Sequence, residues 1–172
     1  MKRWLVILIL FVSVTACDQG TKFLAKEHLM GEGRISMAGD VFRLQYSENT
    51  GAFLSMGSEL PETVRKIVFT GFVALILIGF LVYLLRSDAL NKATVFAGGL
   101  MVSGGIGNLI DRVFNDGAVV DFLNLGFGTI RTGIFNIADM VIMAGLVLFL
   151  FAGNKDGKKD EKESATAQQT DS

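Results

Sequence analysis

Two aspartates stand beside or within the last long apolar stretch of the chain. Asp121 sits in Val119-Val120-Asp121-Phe122, and Asp139 in Phe135-Asn136-Ile137-Ala138-Asp139. An ionisable residue inside a membrane segment costs roughly 3 kcal/mol on insertion scales, so such a residue usually has a function. Two carboxylates that converge on one point are the minimum apparatus for activating a water. Like charges close together cannot both ionise cheaply, so one holds a proton while the other accepts one. The pair points to a membrane enzyme that works by acid–base chemistry.

Other polar residues fall at spacings that place them beside such a pair. Asn108 and Arg112 are four apart and share a helical face, and Asp111 lies at i+3 from Asn108. They end the run Gly104-Gly105-Ile106-Gly107-Asn108-Leu109-Ile110-Asp111-Arg112, in which Ser103 to Gly107 has the small-xxx-small spacing of close helix packing. Asn136 and Asp139 are three apart. A helix beginning at Gly133 would bury Asp139 about 9 Å below its outer end. Asp18 and Lys22 are placed to pair at i and i+4. Each feature alone has a structural reading: an Asp111–Arg112 pair at the interface, an Asp139 neutralised by Lys22 or Arg112, a surface Asp121, and an ordinary turn at Asn49-Thr50-Gly51-Ala52-Phe53.

The elements that position these residues are apolar. Of 172 residues, 51% are hydrophobic and 20 are Gly, with a mean hydropathy of +0.48. That is the profile of a small polytopic membrane protein. A net charge of -1 gives no reason to expect nucleic acid as a partner. One Cys and one His allow no internal disulfide and no His-based metal cluster, and no phosphate loop, dinucleotide fingerprint or zinc spacing occurs. Ile67–Leu85, Ala93–Ile110 and Gly133–Ala152 each approach the roughly 20 residues of a spanning helix. Trp4–Cys17 is shorter. Behind Lys2 and Arg3 it reads either as a signal sequence ending in the lipobox-like Val14-Thr15-Ala16-Cys17, or as a span continuing to Leu24. The span is favoured, because the rest of the chain is already committed to the membrane, and Cys17 is then a plain helix residue.

The expected fold is an all-α polytopic membrane protein. It has four transmembrane helices and a small β-rich extracytoplasmic element built from Val41–Tyr46, with Phe42, Leu44 and Tyr46 on one face, and Val119–Leu125. Pro61 is expected early in the helix that leads into the second span. Lys/Arg density is highest around Lys2, Arg3, Arg86, Lys92 and Lys155, which puts both termini in the cytoplasm and residues 25–66 and 113–132 outside. Residues 1–153 form the membrane domain, and 154–172 a disordered cytoplasmic tail.

Taken together, Asp18-Gln19-Gly20-Thr21-Lys22, Asn49-Thr50-Gly51-Ala52, the run ending Asn108-Leu109-Ile110-Asp111-Arg112, Val119-Val120-Asp121-Phe122 and Phe135-Asn136-Ile137-Ala138-Asp139 resemble lipoprotein signal peptidase (signal peptidase II). The resemblance covers roughly residues 1–153. It implies an aspartyl endopeptidase of the bacterial cytoplasmic (inner) membrane, acting near the outer face without metal or cofactor. Such an enzyme cleaves diacylglyceryl-modified prolipoproteins just before the lipidated cysteine and is inhibited by globomycin-type cyclic peptides. It also implies that Asp121 and Asp139 are the catalytic dyad and that Asn49, Asn108, Arg112 and Asn136 hold substrate. Asp18, Lys22, Gly104 and Asp111 would shape the site. Phe53 departs from the family pattern, which commonly has Ala there. Two other classes remain open on the residues alone: a proton-coupled transporter, since intramembrane Asp residues also relay protons, and a lipoprotein anchored through Cys17.

Overall fold

The computed structural model describes residues 2–50 and 61–152. Phe53 and the expected tail lie outside that range. The chain runs α1 (Arg3–Leu29), β1 (Ile35–Met37), β2 (Phe42–Asn49), α2 (Glu62–Arg86), α3 (Lys92–Phe114), β3 (Val119–Phe127) and β4 (Ile130–Arg131), then α4 (Ile137–Ala152). The first three helices are long and apolar enough to cross a membrane. Helix α4 is shorter, about 24 Å at 1.5 Å per residue.

Arg3 donates to the carbonyl oxygens of Ser87 and Leu90, tying the start of α1 to the turn between α2 and α3. That turn is capped by the Asn91 side chain, which accepts from the Thr94 N–H at 2.8 Å. The strands occupy the opposite end, where α1 and α3 finish and α4 begins. Near the Arg3 end, the bundle core gathers Ile7, Leu84, Val95 and Val102, with Phe80, Ile106 and Phe149 against them. Much of the apolar surface of α2 is left open: Ile67, Phe72 and Leu75 are each 60% or more exposed. In a bundle solvated by lipid such a surface is stable without a protein partner.

Helix α3 is the hub of the bundle, and its glycines are the reason. A Cβ on Gly98 or Gly105 would meet Leu84 or Leu77 of α2, and one on Gly99 would meet Leu10 of α1. At Gly104 it would lie 2.7 Å from the Ala138 carbonyl oxygen of α4, and at Gly107 2.6 Å from Asp18 Oδ2 of α1. The small-residue spacing thus does what close helix packing requires.

The sheet is antiparallel in the order β1-β2-β3-β4. Strands β2 and β3, separated by two helices, pair Ser47 with Asp121 and Asn49 with Val119, with an irregularity between Leu44 and Ser47. Phe42, Leu44 and Tyr46 pack on a second core of Ala25, Leu29, Phe122 and Leu123, as their alternation predicts. Both expected strands are present and extend further at their ends, to Asn49 and Phe127, although β2 begins at Phe42 rather than Val41. The short β1 and β4 are additions whose few residues carry no legible periodicity.

Three boundaries differ from the sequence reading. Helix α1 continues to Leu29 rather than Leu24. Pro61 stands at the N-cap of α2, just before its first helical residue. The last apolar stretch does not become helical at Gly133: Phe135 is bridged to Leu123 by reciprocal backbone hydrogen bonds of 2.8 Å, and only from Ile137 does the chain coil. The sheet outcompetes the helix there, so Asp139 lies in the first turn of α4 and not two turns deep.

Two predictions follow from this packing. Gly104→Ala forces α3 away from a backbone oxygen that cannot yield, at a cost of about 1–3 kcal/mol. Gly79→Ala, with nothing within 4 Å of its Cβ, is harmless. Thermal unfolding in detergent checks the pair: only the first should lower Tm. Because α1 runs unbroken through an exposed Cys17, intact-mass analysis of the membrane-extracted protein should find the residues before Cys17 retained. A chain beginning at an acylated Cys17 contradicts this.

Candidate active site

Where α1, α3, β3 and α4 meet, polar side chains fill the space that apolar residues fill elsewhere. Lys22 is almost fully buried. Its ammonium donates to Asp18 Oδ2 at 2.8 Å, to Asp111 Oδ2 at 3.0 Å and to Asn108 Oδ1 at 2.9 Å. An ammonium has three N–H donors, and all are used. Asp18 Oδ1 accepts the Ala138 N–H at 3.0 Å, so it serves the open first turn of α4. Asp111 Oδ2 also accepts the Val120 N–H at 3.0 Å, which anchors β3 to α3.

Asn108 passes this order to Asp139, donating from Nδ2 to Oδ1 at 2.8 Å. Asn136 and Asp139 form a reciprocal cap at the start of α4. Asn136 Oδ1 accepts the Asp139 N–H at 3.0 Å, and Asp139 Oδ2 accepts the Asn136 N–H at 3.2 Å. This is the capping-box arrangement with shorter side chains. The remaining side-chain group of Asn136, Nδ2, donates to Asp121 Oδ1 at 2.7 Å and to Asn108 Oδ1 at 3.1 Å. Asn49, at the end of β2, donates to Asp121 Oδ2 at 3.0 Å. One fully buried amide therefore touches both aspartates, although they come from a strand and a helix.

The two carboxylates are electrostatically coupled. Burial pushes Asp121 up to about 6; the Asn49 hydrogen bond opposes that rise, and the nearby Asp139 charge adds to it. Arg112 donates from Nη1 to the Asn108 carbonyl oxygen at 3.1 Å. It also lines a cavity of about 450 Å³ with Thr63, Lys66 and Thr70 of α2. A second cavity of about 390 Å³ lies beside Asp139, bounded by Phe135, Met140 and Met143. Among the described residues no cluster of His, Cys, Asp and Glu suited to a metal occurs.

Nine of the ten expected site residues enter one contiguous network, and Gly104 packs directly against α4. The two structural alternatives for the acids do not hold: Asp111 pairs with Lys22 rather than Arg112, and Asp139 accepts hydrogen bonds from Asn108 and Asn136 rather than pairing with Lys22 or Arg112. Helical spacing assigns Gln19 no role, yet its Nε2 donates to Asp111 Oδ1 at 2.8 Å and to the Gly107 carbonyl at 3.2 Å. Its position beside Asp18 was the available signal, but adjacent helix residues point in different directions, and only the approach of α3 gives Gln19 a partner.

Residues 10–153 match the family described as Signal peptidase (SPase) II. The chain is 34% identical over 148 residues to a lipoprotein signal peptidase of Borrelia duttonii (strain Ly), covering 83% of this chain and 86% of that one. It is 36% identical over 154 residues to that of Borreliella burgdorferi (strain ZS7), covering 87% and 89%. Its fold is similar to two solved structures described as bacterial membrane enzymes obtained by the in meso method. The first has a TM-score of 0.69 at 27% identity, covering 85% of this chain and 90% of that one. The second has a TM-score of 0.72 at 28% identity, covering 89% and 90%. With a family match across most of the chain and relatives at this identity over most of their own length, the protein belongs to the signal peptidase II family.

Proposed function

We propose that this protein is a membrane aspartyl endopeptidase that removes signal peptides from diacylglyceryl-modified prolipoproteins, cutting just before the lipidated cysteine. The observation that carries the aspartyl mechanism is the shared Asn136, which bonds Asp121 Oδ1 at 2.7 Å and caps reciprocally with Asp139. The substrate follows from the family.

In this reading Asp139 is the base. It sits in the first turn of α4, where the helix dipole favours negative charge, and accepts from Asn108 and the Asn136 N–H. Asp121, pushed up by burial, holds the proton. Asp139 takes a proton from water as that water attacks the scissile carbonyl carbon. Asp121 donates to the carbonyl oxygen. As the tetrahedral intermediate collapses, Asp139 passes the proton it took from water to the leaving amine, and Asp121 takes back the proton from the hydroxyl that becomes the new carbonyl. Asn49, Asn108, Asn136 and Arg112 orient the dyad and the substrate backbone, while Asp18, Lys22, Asp111 and Gly104 hold the frame. The apolar cavity at Asp139, which Met140 and Met143 open outward, gives the substrate's acyl chains a path to lipid; each buried CH₂ contributes about 0.8 kcal/mol. With α4 as a fourth, shorter span, both termini lie in the cytoplasm and the sheet and dyad at the outer face. Globomycin-type cyclic peptides occupy the same site.

Asp121→Asn and Asp139→Asn should each lower kcat by roughly 10²–10⁴-fold in a folded, inserted protein, because Asn keeps the shape but transfers no proton at neutral pH. A gel-shift assay with purified protein and a diacylglyceryl-modified prolipoprotein measures this, and near-normal turnover by either variant rules out the dyad. The Asp121 proton is present below about 6 and lost as pH rises through that value, so kcat/KM declines on the alkaline side with a midpoint at or above it. Asn49→Ala removes a hydrogen bond that lowers the Asp121 value. Its alkaline midpoint should therefore move to higher pH, whatever its effect on rate, and a midpoint displaced to lower pH would exclude Asp121 as the acid.

A further inference from the structure

A base at Asp139 must keep its carboxylate served by donors, and one of the two comes from an amide that can turn. Asn108 Nδ2 donates to Asp139 Oδ1 at 2.8 Å, while Asn108 Oδ1 accepts from Lys22 Nζ at 2.9 Å and from Asn136 Nδ2 at 3.1 Å. Rotation of the amide by half a turn exchanges oxygen and nitrogen at almost no steric cost, so only its partners decide which way it points. Asn136 is a weak guide, because its Nδ2 is shared among Asn108, Asp121 and the Val120 carbonyl. Asp139 is a strict guide only while ionised, since a protonated carboxyl can also donate, whereas Lys22 is strict throughout, because an ammonium only donates. A turned amide would aim its N–H groups at that ammonium and its oxygen at the Asp139 carboxylate.

We propose that Lys22 is a positioning residue that locks the Asn108 amide and so keeps a hydrogen-bond donor on Asp139. It acts at one remove: its donors end on Asp18, Asp111 and Asn108, and none reaches the dyad. The salt bridges to Asp18 and Asp111 aim the ammonium, and the amide transmits the direction. The charged groups that interact with Asp139 are Arg112 from α3 and Asp121 from β3; beyond them, Asp111 faces Arg112 and Lys22 faces Asp121. Asp18 lies against Lys22 from its own helix.

The proposal rests on the dyad reading above, and the test separates the two. Lys22→Met alone leaves two buried carboxylates without their cation, at a cost to folding, so the informative variant is Lys22→Met/Asp18→Asn, which removes one charge of each sign. Lys22→Arg retains the donors. For each, kcat/KM on a diacylglyceryl-modified prolipoprotein is measured across the pH range, with Tm as the check on folding. A donor favours the charged carboxylate, so losing it lets the group keep its proton to higher pH. The acidic limb of the double variant should therefore rise by about one pH unit, a roughly tenfold loss on that limb that disappears at high pH. Lys22→Arg should keep the wild-type limb. A purely structural role would lower the rate by a constant factor at every pH. An unmoved limb, or a double variant that is unfolded or inactive throughout, overturns the proposal. Full activity in Asp139→Asn would instead bring down the dyad and this inference with it.

Discussion

A buried ammonium organises this molecule. Taking Lys22 out of water is expensive by several kcal/mol, and so is burying Asp18 or Asp111. The cost is offset only if every donor and acceptor is matched, and here each is. The match requires α1, α3, β3 and the start of α4 to arrive together, since Asp18 also serves the Ala138 N–H and Asp111 the Val120 N–H. A charge cluster of this kind is weak evidence for stability, but it specifies one arrangement of four elements. Displacing any of them would strand a charge in a low-dielectric interior.

That arrangement depends on how closely the helices approach. In lipid there is little hydrophobic drive between helices, so packing and interhelical hydrogen bonds decide the association. Hydrogen bonds of 2.8–3.0 Å from Gln19 and Lys22 of α1 to Asp111 and Asn108 of α3 form only if no side chain separates the backbones. Gly107 lies where a Cβ would collide with Asp18, and Gly104 where one would collide with α4. The glycines and the charges are thus one feature: the first permit the distance that the second require.

The sheet supplies what a helix bundle alone could not. Pairing β2 with β3 brings Asn49 to Asp121 from far away in sequence, and the Leu123–Phe135 bridge stops α4 from starting early. The first turn of α4 then falls at the end of the sheet, and Asn136 caps the helix while bonding Asp121. A helix that began at Gly133 would carry Asn136 and Asp139 as ordinary neighbours along its side, with no backbone reason to touch both carboxylates.

The lipid-facing character, the three long apolar helices and the two main strands are legible in the sequence, because they follow from local properties: runs of apolar residues, period-two alternation at Phe42, Leu44 and Tyr46, and glycine spacing in α3. The cost of an ionisable group in such surroundings marks Asp121 and Asp139 as candidates, whereas Asn49 reads locally as an ordinary turn and enters the candidate site only by resemblance. The tertiary structure decided the partners. Which cation meets Asp111, whether Asp139 is neutralised by a charge or held by amides, what Gln19 does and where α4 begins all depend on elements far apart in the chain. Helical spacing fixes which residues share a face, but the energy of a buried polar group is settled by what faces it across the interface. Lys22, Asn108 and Asn136 acquire their roles only when α1, α3, β3 and α4 close around them.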